Sequence, residues 1–218
     1  MNRHLVYRYI LDWFFPNRCP VCGDLIDYDA GFCEKCSSRL TLFDEETKIA
    51  NVDLFCAGCV YDDSISPVIL KLKNSRVGNG YYALALLIYK ALGRNGMCSA
   101  DLISYMPMTT EELKSRGYNQ TELIARELGF MLDTGCMNTL VKVKEIKKQK
   151  ALGRRSRERN MMNAFEASQD IALNGKRVLL IDDVCTTGST LSEAARALKA
   201  AGAESVYAAA AAKTLKKQ

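Results

Sequence analysis

The chain has 218 residues, 48% hydrophobic and 25% charged, with four prolines and a formal net charge of +5. This balance excludes a disordered, collagen-like or proline-divided chain and leaves room for one α/β domain plus a small module. No apolar run approaches the roughly 20 residues that cross a bilayer, and nine cysteines without a secretory leader point to thiols in a reducing compartment, hence a cytoplasmic location.

Residues 1–17 read as an amphipathic helix. Leu5, Val6, Tyr9, Ile10, Trp13 and Phe14 recur at helical spacing, interrupted by Arg3, Arg8 and Asp12, so this face is expected to pack on the body of the protein. Residues 18–45 read as a metal knuckle. Cys19-x-x-Cys22 and Cys33-x-x-Cys36 stand ten residues apart and supply four thiolates for a tetrahedral ion, with Pro20 and Gly23 favouring the tight turn. Zinc is the expected occupant, iron its rival, and four ordinary buried thiols the plain alternative. A closed set of four ligands implies a structural metal.

Residues 51–61 look like a strand, in which Cys56 and Cys59 lie on opposite faces and read as structural thiols. Residues 66–73 form a short helix with Pro67 in its first turn. A helix over 80–92 carries Leu84, Leu87, Ile88 and Ala91 on one face. Residues 102–106 are a strand stopped at Pro107, and 119–132 a helix with Leu123, Ile124, Leu128 and Met131 aligned. The continuous apolar run 178–181 suits a buried parallel strand. A helix over 189–200 follows, with Gly202 at its C-terminal end, and then a strand over 206–211. Strands alternating with helices imply a mostly parallel sheet with helices on its faces. The organisation expected is residues 1–50 as helix and knuckle, and 51–218 as the α/β domain.

Charge is unevenly spread. Residues 19–66 hold ten acids and three bases, whereas residues 142–159 hold nine bases and two acids. The basic cluster suits a polyanion such as a pyrophosphate, a nucleotide or a nucleic-acid backbone; a solvated helix face is the plainer alternative. His4 is the only histidine, so no Ser-His or Cys-His triad can be assembled around the later strands.

The richest chemistry lies at Val178–Thr190. The strand is expected to end at Ile181, with Asp182 and Asp183 at its carboxyl end, where open α/β sheets bind ligands. Thr186, Thr187, Gly188, Ser189 and Thr190 then turn into a helix, whose free N–H groups and partial positive charge receive phosphates. Gly188 allows a backbone shape that side chains block, and the neighbouring hydroxyls add donors. Two acids cannot also serve a phosphate, so ribose hydroxyls or a Mg²⁺ shell are their natural partners. The residues alone describe a ribose 5-phosphate site; a generic strand–turn–helix is the alternative.

This loop resembles the signature of type I phosphoribosyltransferases, and other stretches narrow the likeness. The four-cysteine knuckle, Leu70-Lys71-Leu72-Lys73, Lys114-Ser115-Arg116-Gly117-Tyr118-Asn119-Gln120, and Gln149-Lys150-Ala151-Leu152-Gly153 with Arg157, Asn160 and Phe165 together resemble the ComF family, from about residue 18 onward. The resemblance implies a type I phosphoribosyltransferase-like parallel sheet flanked by helices, with an N-terminal four-cysteine zinc knuckle. It implies phosphoribosyl pyrophosphate or a nucleotide as ligand, with Mg²⁺. Residues 186–190 would hold the 5-phosphate, and Asp182 and Asp183, the catalytic pair, would bind the ribose hydroxyls directly or through metal-bound water. Lys114, Arg116, Lys150 and Arg157 would neutralise the pyrophosphate, and Asn119 and Gln120 would contact the substrate or cap a helix. The alternative is a non-catalytic single-stranded DNA or nucleotide binder acting beside a ComFA-like helicase in natural transformation, with Tyr118 or Phe165 stacking on bases. The chain departs from the family in having only Cys56 and Cys59 where many members carry a second four-cysteine cluster. It also has a polar spacer, Thr109-Thr110-Glu111-Glu112, where a basic one is usual.

Overall fold

The computed structural model describes residues 3–75, 78–97, 99–143 and 163–215. In chain order its elements are α1 (Arg3–Asp12), α2 (Glu34–Ser37), β1 (Leu54–Val60), α3 (Ser66–Asn74), α4 (Gly80–Arg94), β2 (Leu102–Tyr105), α5 (Thr110–Arg116), α6 (Gln120–Leu132), β3 (Leu140–Lys142), β4 (Phe165–Ala167), β5 (Arg177–Cys185), α7 (Ser189–Ala200) and β6 (Ser205–Lys213). Strands β1, β6, β5 and β2 pair in that order, all parallel, and β3 pairs antiparallel with β4. Central strands buried on both faces read as unbroken apolar runs. Val178–Ile181 and Ala208–Ala212 accordingly have no exposed surface.

Each sheet face has its own core. Leu179 and Ile181 point to the face covered by α3, α4 and α6, whereas Val178 and Leu180 point to the face covered by α7 and the β3–β4 hairpin. The approach of α4 is close. A Cβ on Gly58 of β1 would meet Leu87 Cβ at 2.7 Å and the Ala211 carbonyl oxygen at 2.8 Å, so only glycine fits there.

Three differences from the sequence reading have physical causes. First, β5 does not stop at Ile181. It runs to Cys185, because β6 continues alongside it and pairs Asp182 with Ala210 and Val184 with Ala212. Second, α1 packs through a different face from the one its apolar spacing marks. Tyr9, Ile10, Trp13 and Phe14 are exposed, while His4 Nε2 lies 2.9 Å from Glu127 Oε1 of α6, and Arg8 stands 3.3 Å over the Tyr82 ring. A buried carboxylate needs cationic or proton-donating partners, and α1 turns its polar edge inward to supply them. Third, α5 and the β3–β4 hairpin were not expected from the sequence. The segment that leads into the domain is itself packed on it, with Ile49 part of the α7-side core and Asn51 Nδ2 3.3 Å from the Ser192 carbonyl oxygen.

Candidate ribose-phosphate site and zinc knuckle

Adjacent strand side chains ordinarily alternate, and over Val178–Ile181 they do, but beyond Asp183 the alternation breaks: Val184 packs with the α3/α4/α6-side core and Cys185 with the α7-side core, while Asp183 turns toward α3 and α6. Strand β2 ends at Tyr105, opposite Ile181, so the sheet opens where these carboxylates stand. Asp183 is buried, and its Oδ2 receives Gln120 Nε2 at 3.2 Å and faces Lys73 Nζ at 3.0 Å. Asp182 Oδ1 accepts the Asp183 backbone N–H at 2.8 Å. Burial first, and the neighbouring Asp183 charge second, push the Asp182 carboxyl well above the usual carboxylate range. The pair is thus divided, with Asp183 matched to a cation and Asp182 shielded.

The turn beyond them has the form an anion needs. Gly188 takes the left-handed region, φ +82°, as N-cap of α7, and has no side chain to cap the helix; Thr187 Oγ1 lies 3.4 Å from the Ser189 N–H as a long contact. The first-turn N–H groups therefore lack an intrahelical partner. Thr186 and Thr187 are exposed, and Thr187 Oγ1 lies 2.9 Å from Ser189 Oγ, gathering hydroxyls at one point. Ile49 lies under the turn; a Cβ on Gly188 would come within 2.9 Å of its Cγ1. Buried Lys213 donates to the Thr186 carbonyl oxygen at 2.6 Å and the Thr214 carbonyl oxygen at 2.9 Å, tying the loop to the end of β6.

Across the opening, Thr109–Gln120 is braced at several points. The polar spacer is a capping box: Thr109 Oγ1 accepts the Glu112 N–H and Glu112 Oε2 accepts the Thr109 N–H, so these residues start α5. Lys142 Nζ meets the same Glu112 Oε2 at 2.9 Å and links the hairpin to this segment. Asn119 caps α6 through the Thr121 N–H and donates to the Met106 carbonyl oxygen, both at 3.0 Å, so its amide is spent on the protein. Arg116 Nη1 donates to Gln120 Oε1 at 3.1 Å, which extends the contact chain to Asp183. Lys114 is exposed on α5. Lys150 and Arg157 lie outside the described residues. Tyr118 and Phe165 are 8% and 1% exposed, so neither is available to stack on bases; the Tyr118 hydroxyl instead donates to the Leu72 carbonyl oxygen at 2.5 Å, and Phe165 fills the α7-side core.

Lys73 and Lys213 are the residues that sequence reasoning missed. Lys73 lay within a motif already singled out, Leu70–Lys73, but nothing local aims it at Asp183. Lys213 carried no signal.

The knuckle gathers Cys19, Cys22, Cys33 and Cys36 with all four sulfurs within 4.8 Å of one another, the one such cluster among the described residues. Cys22 Sγ and Cys33 Sγ are 3.6 Å apart. A zinc tetrahedron with Zn–S of about 2.3 Å has edges of about 3.8 Å, and a disulfide would need about 2.05 Å; the spacing fits zinc. Burial resists ionisation of Cys19, but backbone N–H groups of Cys22, Cys33 and Val21 aimed at its sulfur prevail and bring the thiol down to about 7. Between residues 18 and 43 the buried hydrophobic side chains are Cys19, Cys36 and Phe43. One large apolar side chain contributes roughly 1.5–3 kcal/mol, against roughly 1–2 kcal/mol per ordered residue, so thiolate–metal bonds must hold this module. Cys56 and Cys59 belong to β1. Burial pushes the Cys59 thiol up to about 12, aided by Asp62, and its S–H donates to the Ala211 carbonyl oxygen at 3.4 Å.

Comparison with known proteins finds two family models in the chain. The family model "phosphoribosyl transferase domain" matches residues 113–218, and "double zinc ribbon domain" matches residues 10–59. "Competence protein F" of Haemophilus influenzae is 29% identical over 197 residues, 86% of this chain and 81% of that protein. "DNA utilization protein YhgH" of Escherichia coli K12 is 28% identical over 193 residues, 86% of this chain and 80% of that protein. "Competence protein ComFC" of Bacillus subtilis is 31% identical over 93 residues, 43% of this chain and 36% of that protein. Among solved structures, adenine phosphoribosyltransferase from Thermoanaerobacter pseudethanolicus superposes with a TM-score of 0.42 at 18% identity, covering 69% of this chain and 86% of that one. The family match over residues 113–218, on a parallel sheet flanked by helices, is that of the type I phosphoribosyltransferase fold. No helix among the described residues is long and apolar enough to cross a membrane.

Proposed function

The chain belongs to the ComF family, and from that premise we propose that it binds phosphoribosyl pyrophosphate, or a related ribose phosphate, with Mg²⁺ at the carboxyl end of β5. The observation that supports this most is the junction of Asp183, held by Lys73 and Gln120, with the Gly188-capped N-terminus of α7. In this reading the N–H groups and hydroxyls of Thr186–Thr190 hold the 5-phosphate. Asp182 and Asp183 take the ribose hydroxyls, directly or through the hydration shell of Mg²⁺, whose charge offsets that of the diphosphate. The charges of Arg116 and Lys114, with those of Lys150 and Arg157 of the basic segment, would neutralise the pyrophosphate. Transfer would break the ribose C1–O bond, with the electron pair leaving on pyrophosphate as an acceptor nucleophile bonds to C1. Positioning and charge stabilisation would supply most of the rate.

Calorimetric titration of phosphoribosyl pyrophosphate with Mg²⁺ into the wild type and into Asp182→Asn and Asp183→Asn tests this. Saturable binding to the wild type is expected, with at least about a tenfold loss in Asp183→Asn, comparable to one charge-assisted hydrogen bond. No binding to the wild type sinks the reading.

The names of the relatives, and the nine bases against two acids at residues 142–159, support a second function in a cytoplasmic DNA-uptake pathway: contact with single-stranded DNA beside a ComFA-like helicase. DNA affinity should fall steeply with salt and be abolished by Arg154→Glu with Arg155→Glu. Unchanged DNA affinity in that variant removes this role.

A further inference from the structure

We infer that Lys73 is a cation for the pyrophosphate end of the ligand, and that Asp183 stores it in place until the ligand arrives. This rests on the ribose-phosphate reading of the site. Lys73 lies in the last turn of α3 with its Nζ 3.0 Å from Asp183 Oδ2; its side chain is 30% exposed and that of Asp183 only 8%. The ammonium therefore stands between the buried carboxylate and the solvent, at the mouth of the sheet opening.

The segment Arg116–Gln120 supports this placement from several sides. The Tyr118 hydroxyl donates to the carbonyl oxygen of Leu72, one residue before Lys73, and fixes the last turn of α3, where carbonyls lack intrahelical partners. Asn119 binds the Met106 carbonyl oxygen and fixes the end of β2. Gln120 donates to Asp183 and accepts from Arg116, so Lys73 meets this carboxylate directly and Arg116 is linked to it through the Gln120 amide. The 5-phosphate turn, in contrast, offers backbone N–H groups and hydroxyls. A diphosphate carries more charge than a monoester and needs cations. When Asp183 turns to the ribose hydroxyls or to Mg²⁺, Lys73 loses its partner and gains the diphosphate, so no charge is left buried and unmatched. Lysine suits this, since a flexible stem carries a point charge between two acceptors.

The test titrates pyrophosphate, ribose 5-phosphate and phosphoribosyl pyrophosphate, each with Mg²⁺, into the zinc-loaded full chain as wild type, Lys73→Met, Lys73→Gln and Lys73→Arg. Lys73→Gln keeps a hydrogen-bond donor for Asp183 without the charge, and so reports even if Lys73→Met fails to fold. Expected is a loss of about tenfold or more for pyrophosphate and phosphoribosyl pyrophosphate in the uncharged variants, ribose 5-phosphate within about twofold, and partial recovery in Lys73→Arg. Equal affinities in wild type and Lys73→Gln overturn the inference. Equal losses for ribose 5-phosphate and pyrophosphate also overturn it, leaving Lys73 as the counter-ion of Asp183 alone. A wild type that binds ribose 5-phosphate but not pyrophosphate overturns it while the ribose-phosphate reading stands; a wild type that binds none of the three ends both.

Discussion

The turn Thr186–Thr190 draws its anion-binding groups from one short stretch of chain, whereas the groups around Asp183 arrive from α3, the end of α5 and the start of α6. The first half is a local structure, in which a glycine with positive φ, clustered hydroxyls and a helix N-terminus suffice. The second is a meeting of distant side chains, held by Tyr118 on Leu72, Asn119 on Met106 and Lys142 on Glu112. Phosphate recognition of the first kind uses backbone dipoles that cannot be mutated singly. Recognition of the second kind uses charges that can be removed one at a time, so the two halves should respond to substitution differently.

The largest effect should follow from damage to the local half. Gly188→Ala forces a left-handed residue, at roughly 1–2 kcal/mol, and pushes a Cβ to 2.9 Å from Ile49 Cγ1. Ribose 5-phosphate affinity should fall by about tenfold or more, and pyrophosphate affinity by much less, in paired calorimetric titrations. Equal losses would mean that the two halves act as one unit.

A smaller effect is expected on the braced half. Glu112→Ala removes one arm of the α5 capping box and the partner of Lys142, costing about 1 kcal/mol. Thermal melting should drop by roughly 2–4 °C, with pyrophosphate affinity reduced about two- to threefold and ribose 5-phosphate affinity unchanged. A lowered ribose 5-phosphate affinity would break the comparison.

The smallest effect lies away from both halves. Burial pushes the Glu127 carboxyl up to about 7 from its ordinary 4.5, against the pull of Arg8. Between those values the native protein holds a proton that the unfolded chain gives up, so this group's contribution to stability is lost as pH rises through the window. Glu127→Gln should flatten that decline by a few degrees of melting temperature. His4, lowered from 6.5 by burial and then by Arg8, acts with the opposite sign below that value, and it exchanges its carboxylate partner for an amide in Glu127→Gln. An unchanged slope would show that the α1–α6 contact does not titrate there.

Much of the fold was legible because the apolar periodicities of α4, α6 and α7 and the buried run Val178–Ile181 are set by which face must leave water. The α1 face was misread for the opposite reason. Its aromatic stripe is the stronger periodic signal, but the buried Glu127 carboxylate, more than a hundred residues away in sequence, demands His4 and Arg8. The strand end at Ile181 was misplaced because only pairing with β6 carries β5 onward to Cys185. Helix α5 could have been read from Thr109-x-x-Glu112, a capping box that was taken only as a polar departure.

The sequence by itself determined the four-cysteine knuckle, the alternating α/β order and the Asp182–Thr190 loop, since each depends on residues close in the chain. The tertiary structure decided that β5 carries Asp182 and Asp183 within its pairing with β6, that Lys73 and Gln120 reach Asp183, and that Ile49 supports the phosphate turn. Those relations arise from pairing length and packing between segments far apart in sequence, which no local pattern encodes.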